Sequence, residues 1–149
     1  MSERVIKGYH AHIYYDPKTT RDAAAKVRAG LAQFNVQLGS WHDEAVGPHL
    51  DAMYQAVFTQ EEFAQIVPWL MLHREGLSVL VHPSTGDGYG DHMERSLWLG
   101  DRLKLNEVAL TRGFAMRSAT LSRTWFPSSK CRRLSLKSWA RLGCLPWAK

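Results

Sequence analysis

Hydrophobic and polar side chains follow two different periods along the first part of the chain. Residues 8–15 alternate, with aromatic and β-branched content, and this period of two predicts a strand. The pair Asp16-Pro17 interrupts the pattern, and Thr20 can then cap a helix. Apolar residues recur in that helix at steps of three and four, which predicts an amphipathic stripe formed by Ala24, Val27, Leu31 and Phe34. The chain is therefore expected to begin with a strand and an amphipathic helix.

Two further strands and a second helix follow. Val36–Trp41 and Ala52–Phe58 have compositions that favour strands. Thr59 and Glu62 have the spacing of a capping box, so we expect the second helix to begin there. Pro68 lies within this helix and has no backbone N–H, so we expect a kink or a break at that point.

The last elements complete a recognisable order. The second helix is expected to end at Gly76, and Leu77–His82 predicts a fourth strand. The glycine-rich segment 84–90 predicts a loop, and Asp91–Leu99 is expected to form a short helix. The order βαββαβ predicts an α+β, ferredoxin-like fold, in which both helices cover one face of an antiparallel sheet. We expect the open face to be covered by substrate or by a second subunit, which favours a homodimer.

Histidines are placed on the predicted strands where they can meet. In an extended strand His10 and His12 point to one face, roughly 6.6 Å apart along the chain, while Ala11 and Ile13 face the helices. An antiparallel fourth strand would place its end beside the start of the first, and so bring His82 near His10. The simplest ligand set for an iron or zinc ion is therefore His10, His12 and His82.

Charge is distributed unevenly along the chain. Residues 1–110 contain ten Lys/Arg and all fourteen Asp/Glu, whereas residues 111–149 contain nine Lys/Arg and no acid. This break predicts a domain at 1–110 and a basic tail at 111–149, which we expect to be disordered or non-native. Because the domain itself is mildly acidic, we expect no nucleic-acid partner.

Cysteine content and hydropathy indicate the compartment. Cys131 and Cys144 are too few for a disulfide framework in a chain of 149 residues, which favours a reducing cytoplasm. No apolar run approaches the ~18–20 residues of a membrane span, so we expect no membrane partner.

Three segments resemble one known family. The stretches YHAHIYYDP, GPHLDAMYQAVF and WLMLHREGLSVLVHPSTGDGYGDH, the last followed by LWLG, resemble the DOPA 4,5-dioxygenase family over roughly residues 8–110. The resemblance implies a ferredoxin-like fold, dimerisation through the open sheet face and a mononuclear non-haem iron(II) site. The implied activity is extradiol cleavage, in which O₂ is inserted beside the paired hydroxyls of a small, DOPA-like catechol.

Three more residues are candidates for catalysis under this resemblance. His49 or His92 would act as general base and then as acid, and Tyr14 could hydrogen-bond substrate or dioxygen. His49 is expected near the far end of the first strand, at the limit of reach of the same ion. Each of the three also has a purely structural interpretation. His49 could be a turn residue, His92 could lie at a helix start with Asp91 as the cap, and Tyr14 could be a core or interface tyrosine. The two remaining histidines, His42 and His73, are expected at the surface.

Two other functions stay open at this point. Extradiol iron sites usually pair two histidines with one carboxylate, and no carboxylate lies inside the strand motifs. Asp87, Asp91 or Glu94 could supply one through the loop. An all-histidine site would also suit zinc and hydrolysis. A non-catalytic ferredoxin-like dimer that binds a small aromatic ligand is the other alternative.

Overall fold

Five strands and four helices alternate within residues 5–111, the part of the chain that this computed structural model describes. The strands are β1 (Tyr9–Tyr14), β2 (Gln37–His42), β3 (Met53–Phe58), β4 (Val79–Pro83) and β5 (Leu97–Leu99). The helices are α1 (Arg21–Leu31), α2 (Gln60–His73), α3 (Gly88–Met93) and α4 (Glu107–Thr111). The four predicted strands are found within two residues of their expected bounds. The two predicted long helices are also found, but α1 ends at Leu31, before Phe34, and α2 ends at His73, before Gly76. None of these helices is long and apolar enough to cross a membrane.

The strands form one antiparallel sheet in the order β2-β3-β1-β4-β5. Its first four strands have the βαββαβ arrangement, so the predicted α+β, ferredoxin-like class is confirmed. Dimerisation through the open face stays a prediction. The predicted basic tail, apart from Thr111, lies outside the described residues.

The helix predicted over Asp91–Leu99 is wrong. The helix starts earlier, because the Asp87 carboxylate accepts the Gly90 N–H at 3.1 Å and caps α3. The last residues of the predicted helix instead form β5, which pairs with Val79–Val81 of β4. A three-residue edge strand has too few positions to display a period, so its existence depends on the neighbouring strand.

Both long helices begin where predicted, but without the predicted side-chain capping hydrogen bonds. Thr20 and Thr59 occupy the N-cap positions of α1 and α2, yet neither side chain forms a capping hydrogen bond. The predicted break at Pro68 is also not found, since α2 is continuous around it. Pro68 and Ala64 are both exposed, so water can bond the Ala64 carbonyl that the proline leaves without its N–H partner.

The helix side of the sheet carries the larger core. Ala11 and Ile13 of β1 point to this side, as expected, and are fully buried. They pack with residues of both helices, namely Ala24, Val27, Leu31, Ile66, Val67 and Leu70. Burial of each such aliphatic side chain contributes about 1.5–3 kcal/mol. This core holds β1 in place, and because successive side chains of a strand alternate, it directs His12 to the opposite face of the sheet.

The opposite face of the sheet is partly covered by the chain itself. Tyr14, Met53 and Leu80 are buried there. Side chains from the loops and from β5 pack against them: Val46, Trp98, Leu103 and Leu105. The expectation that this face is uncovered within one subunit is therefore wrong, because the segment after β4 folds back over it.

Candidate metal and substrate site

Strands β1 and β4 bring together the three histidines that the sequence predicts to lie close to one another. His10 lies directly opposite His82 in the antiparallel register. Strand alternation places His12 on the same side, and its Nε2 lies 3.1 Å from Nε2 of His82. One ring nitrogen from each of His10, His12 and His82 can be chosen so that all lie within 4.8 Å of one another. The expected juxtaposition is confirmed, while the role of the trio as ligands stays a prediction.

A second trio shares His12 with the first. Ring nitrogens of His12, His49 and His92 also lie within 4.8 Å of one another. The His49 and His12 rings are only 4.1 Å apart between centroids, so the expected difficulty of reach for His49 does not exist. A tight turn explains this, because Val46 and His49 exchange both backbone hydrogen bonds at 3.0 Å and Gly47 adopts a φ of 58°.

Helix α3 brings His92 to the cluster, and a buried carboxylate holds the helix. Asp91 accepts hydrogen bonds from the Thr85 backbone N–H at 2.8 Å and from the Thr85 hydroxyl at 2.7 Å. The Arg95 guanidinium donates to Asp91 at 3.0 Å and to Asp87 at 3.1 Å. Asp91 therefore anchors α3 from within rather than capping it, and the cap is Asp87.

The hydrogen bonds of two rings fix where their protons lie. Nδ1 of His82 donates to the Pro83 carbonyl at 2.8 Å, and Nδ1 of His92 donates to the Gly88 carbonyl at 2.8 Å. A carbonyl only accepts, so each neutral ring keeps Nε2 as a free lone pair. This arrangement, an imidazole oriented by a backbone carbonyl through its other nitrogen, is typical of metal-ligating histidines.

Several ring nitrogens of the cluster are buried without a hydrogen-bond partner among residues 5–111. They are Nδ1 of His12, Nε2 of His49 and Nε2 of His92. An unpaired buried polar atom costs about 1–3 kcal/mol, and such atoms are rare in folded proteins. Three such nitrogens lie in one cluster, and a bound ion or ligand would supply the missing partners.

The distances suit a metal ion. Two nitrogens that bind one ion at ~2.1 Å and at right angles lie ~3.0 Å apart, and the observed His12–His82 separation is 3.1 Å. The donor set is all imidazole, which iron and zinc accept. The residues present therefore fit a mononuclear ion of this class.

Electrostatics keep the cluster neutral at physiological pH. Burial, reinforced by neighbouring imidazoles, lowers the pKa of His10 to about 4 and that of His49 to about 3. Burial also lowers the pKa of His12 and of His82 well below the ordinary value, and that of His92 in the same direction. Neutral rings offer lone pairs, so protons do not compete with a cation near pH 7.

The carboxylates near the site are engaged elsewhere. Asp87 and Asp91 both pair with Arg95, and Glu94 lies 3.6 Å from the same guanidinium. Neither histidine trio found within residues 5–111 includes a carboxylate. The expectation that the loop supplies an acidic ligand therefore receives no support from this geometry.

Tyr14 connects the cluster to an aromatic wall. Its hydroxyl lies 2.6 Å from Nδ1 of His49, and its ring stacks on Trp98 with centroids 5.7 Å apart. Burial raises the pKa of Tyr14 well above its ordinary range, so the phenol stays protonated. Of the two histidines expected at the surface, His73 is exposed and His42 is half-buried, and neither belongs to a trio.

A cavity of about 390 Å³ adjoins the cluster. His92 forms part of its wall, and the rest comes from β5 and the segment after it: Met93, Trp98, Arg102, Leu103, Lys104, Leu105 and Glu107. Its size is within the range of small-molecule sites. The cavity was not predicted from the sequence, because residues 102–106 alternate between polar and apolar side chains without showing which surface they pack against. Only Arg95 could have been linked to its partner beforehand, as it lies four residues after Asp91.

Comparison with known proteins identifies the family. A sequence model of the Dopa 4,5-dioxygenase family matches residues 9–109. The chain belongs to this family. The match begins with β1 and ends within α4, so both histidine trios and the cavity-lining residues lie inside the family domain.

Two curated relatives are similar to this family member at 33% identity each. One is an uncharacterized 21.2 kDa protein of Botryotinia fuckeliana, and the other is a DOPA 4,5-dioxygenase of Amanita muscaria. Each match covers 68% of this chain, which spans only 62% and 48% of the respective relatives.

A solved structure is more similar. The crystal structure of a candidate dioxygenase from Nostoc punctiforme superposes with a TM-score of 0.70 at 54% sequence identity. The match covers 72% of this chain and 93% of that one. The domain described here is therefore nearly the whole of the Nostoc chain.

Proposed function

We propose that this family member is an extradiol-type dioxygenase that opens the ring of a small catechol at a mononuclear non-haem iron(II) site. The observation that carries the proposal is the buried histidine cluster, in which ring nitrogens of His10, His12 and His82 lie within 4.8 Å of one another. Beside them, Nε2 of His49 and Nε2 of His92 have no partner among the described residues. In the balanced reaction both atoms of O₂ enter the catechol. One ring carbon–carbon bond beside a hydroxyl-bearing carbon breaks together with the O–O bond, and no external reductant is needed.

We assign the ion to His10, His12 and His82. Their nitrogens meet on one side of the sheet, and the Pro83 carbonyl orients His82 so that its Nε2 lone pair points toward Nε2 of His12. When bound there, iron(II) would supply a redox-active Lewis acid that joins an electron-rich catechol to O₂.

His49 serves as the proton acceptor for a catechol hydroxyl in this proposal. Its Nε2 is buried without a partner among the described residues, and burial lowers its pKa, so the ring is neutral and has a lone pair at the outset. For Nε2 to accept, the ring proton must lie on Nδ1 and be donated to the Tyr14 oxygen, which is 2.6 Å away. Tyr14 can accept from Nδ1 in this tautomer, which is the form of His49 that works as a base.

His92 has the complementary position. The Gly88 carbonyl holds its proton on Nδ1, so its Nε2 faces the cluster as a second acceptor. Because His92 also lines the cavity, it touches whatever small molecule enters there. We assign it the transfer of the proton during ring opening.

Substrate identity is a finer proposal than the reaction class. DOPA is the substrate in the name of the Amanita relative, and this chain spans only 48% of that protein. We therefore propose catechols as the class, with DOPA as one member to be tested. A homodimer formed through what remains of the open sheet face is proposed with it, to be checked by light scattering.

Oxygen uptake tests the proposal. The protein is loaded anaerobically with iron(II), and O₂ consumption and visible absorbance are followed after addition of a catechol. We expect one O₂ consumed per catechol and a yellow ring-opened product. If iron binds but no catechol in a panel causes uptake, the dioxygenase proposal is wrong and a ligand-binding module takes its place.

Zinc hydrolysis is the second candidate, favoured by the all-imidazole donor set of both trios. Metal analysis of protein purified without added metal, followed by loading with each metal in turn, separates the two. Zinc retained through dialysis, together with ester hydrolysis and no iron-dependent uptake, would favour the hydrolase.

A further inference from the structure

We propose that the cavity beside His92 recognises a carboxylate on the substituent of the catechol ring, through Arg102 and Lys104. This inference rests on the proposed function and adds a specificity-determining site to it. The ligand class is a catechol with a short anionic side chain, as opposed to a neutral or cationic one.

The cavity adjoins the histidine cluster. His92 belongs both to its wall and to the histidine cluster, so a molecule in the cavity reaches the proposed reaction centre. Trp98 also lines it and stacks at 17° on Tyr14, which in turn bonds His49. A ring placed against this aromatic wall would lie next to the proposed base.

The cavity wall combines apolar and charged side chains. Leu103 and Leu105 pack on the buried group formed by Tyr14, Met53 and Leu80, so the inner part of the cavity is apolar and firmly supported. The cations stand alternately with them, at 102 and 104, and are exposed. This lining matches a ligand whose aromatic part lies against the leucines and whose charged end lies near the two cations.

The charged residues of the cavity wall are mainly cationic. The cavity wall has two cations, Arg102 and Lys104, and one acid, Glu107. Within the part of the chain that the structure describes, neither cation forms an ion pair, whereas Arg95 nearby makes three. Residues 1–110 contain fourteen Asp/Glu against ten Lys/Arg, so a cavity wall with two cations and one acid has the opposite sign to the domain as a whole. A guanidinium and an ammonium are the groups that bind a carboxylate most strongly.

The experiment compares three catechols of similar size under anaerobic conditions with iron-loaded protein. They are 4-methylcatechol, which is neutral, 3,4-dihydroxyphenylpropionate, which carries a carboxylate, and dopamine, which carries an ammonium. Calorimetry gives Kd for each, so the readout is binding and does not depend on turnover. The variant is Arg102→Gln/Lys104→Gln. The matched control, Lys18→Gln/Lys26→Gln, removes two exposed positive charges that do not line the cavity.

We expect the carboxylate to bind at least about 10-fold more tightly than the neutral catechol, as charge-assisted hydrogen bonds do. The double variant should lose that preference without weakening 4-methylcatechol, and the control should keep it. Equal affinity for the three catechols, or a preference that survives Arg102→Gln/Lys104→Gln, overturns the carboxylate site and leaves the proposed function standing. Failure of all three to bind, with iron bound, overturns both.

Discussion

The two faces of β1 differ in how completely their polar groups are satisfied. On the helix side, Ala11 and Ile13 are fully buried in an apolar core. Among residues 5–111, the one buried side-chain nitrogen there without a hydrogen bond is Nη1 of Arg28, whose guanidinium lies over the rings of Trp41 and Tyr54. On the other side, His12 is equally buried, yet its Nδ1 has no partner among residues 5–111. Burial on the helix side forms a core, whereas we propose that the nitrogens on the histidine side meet a bound species. The difference separates a stabilising surface from a functional one on a single strand.

The largest effect is expected from His12→Ala. His12 is the member common to both trios, so its loss removes a ligand from either assignment of the ion. Iron(II) affinity should fall by more than ~100-fold, because even outer contacts of metal ligands are worth about 10–100-fold. Anaerobic titration with a chromophoric chelator measures it. His73→Ala, at an exposed position, is the control and should bind like the wild type. Unchanged affinity in His12→Ala would place the ion elsewhere.

Ile13→Ala tests the helix side of the same strand. Truncating this fully buried residue should destabilise the fold by about 2–5 kcal/mol, measured by urea denaturation of the metal-free protein. The folded fraction should still bind one iron with unchanged affinity. A loss of iron affinity as large as that of His12→Ala would show that the two faces are not separable.

Asp91→Asn should have a smaller effect, on catalysis rather than on metal content. The neutral amide weakens the bonds to Thr85 and Arg95 that hold α3, and so lets His92 move. We expect kcat to fall by roughly 10-fold, the lower end for residues that orient site histidines, with iron content unchanged. Glu94→Gln alters an exposed neighbour in the same helix end and should leave kcat as it is. Equal losses in both variants would argue against the anchoring role.

The last comparison concerns the pH dependence of stability. The pKa of His10 is lowered to about 4 and that of His49 to about 3 in the folded state, against 6.5 as the ordinary value. The unfolded chain therefore binds more protons, and the free energy of unfolding falls as the pH drops below about 6.5. Urea titrations of metal-free protein at pH 7, 6 and 5 should show progressive loss. A flat profile over this range would mean that the rings are not buried as described.

The sequence was sufficient for the parts of the fold that have a period. Alternation around His10 and Ile13 defined β1 and its two faces, and the stripe through Val27 defined α1. It was insufficient where pairing decides the structure, as in β5, whose three residues are a strand only because β4 lies beside them. The cap at Thr59 failed for a related reason, since spacing shows which groups can bond but not which orientation the side chain takes.

The candidate site followed the same division. The register of two neighbouring strands is implied by the fold, so His10, His12 and His82 could be expected together. His49 and His92 reach the cluster through the turn at Gly47 and through α3, whose paths depend on tertiary contacts. The cavity formed by Trp98, Arg102 and Lys104 depends on the same contacts. The assignment to a reducing cytoplasm stays a prediction, because both cysteines lie outside the described residues.

Isotope labelling tests the central claim most directly. Iron-loaded protein is supplied with a catechol under ¹⁸O₂, and the product is analysed by mass spectrometry. The account predicts a ring-opened product that carries ¹⁸O in its new carboxylate, an oxygen that does not exchange readily with water. A product without label, or label that appears only in water or hydrogen peroxide, would contradict the proposal that this histidine cluster inserts O₂ into the ring.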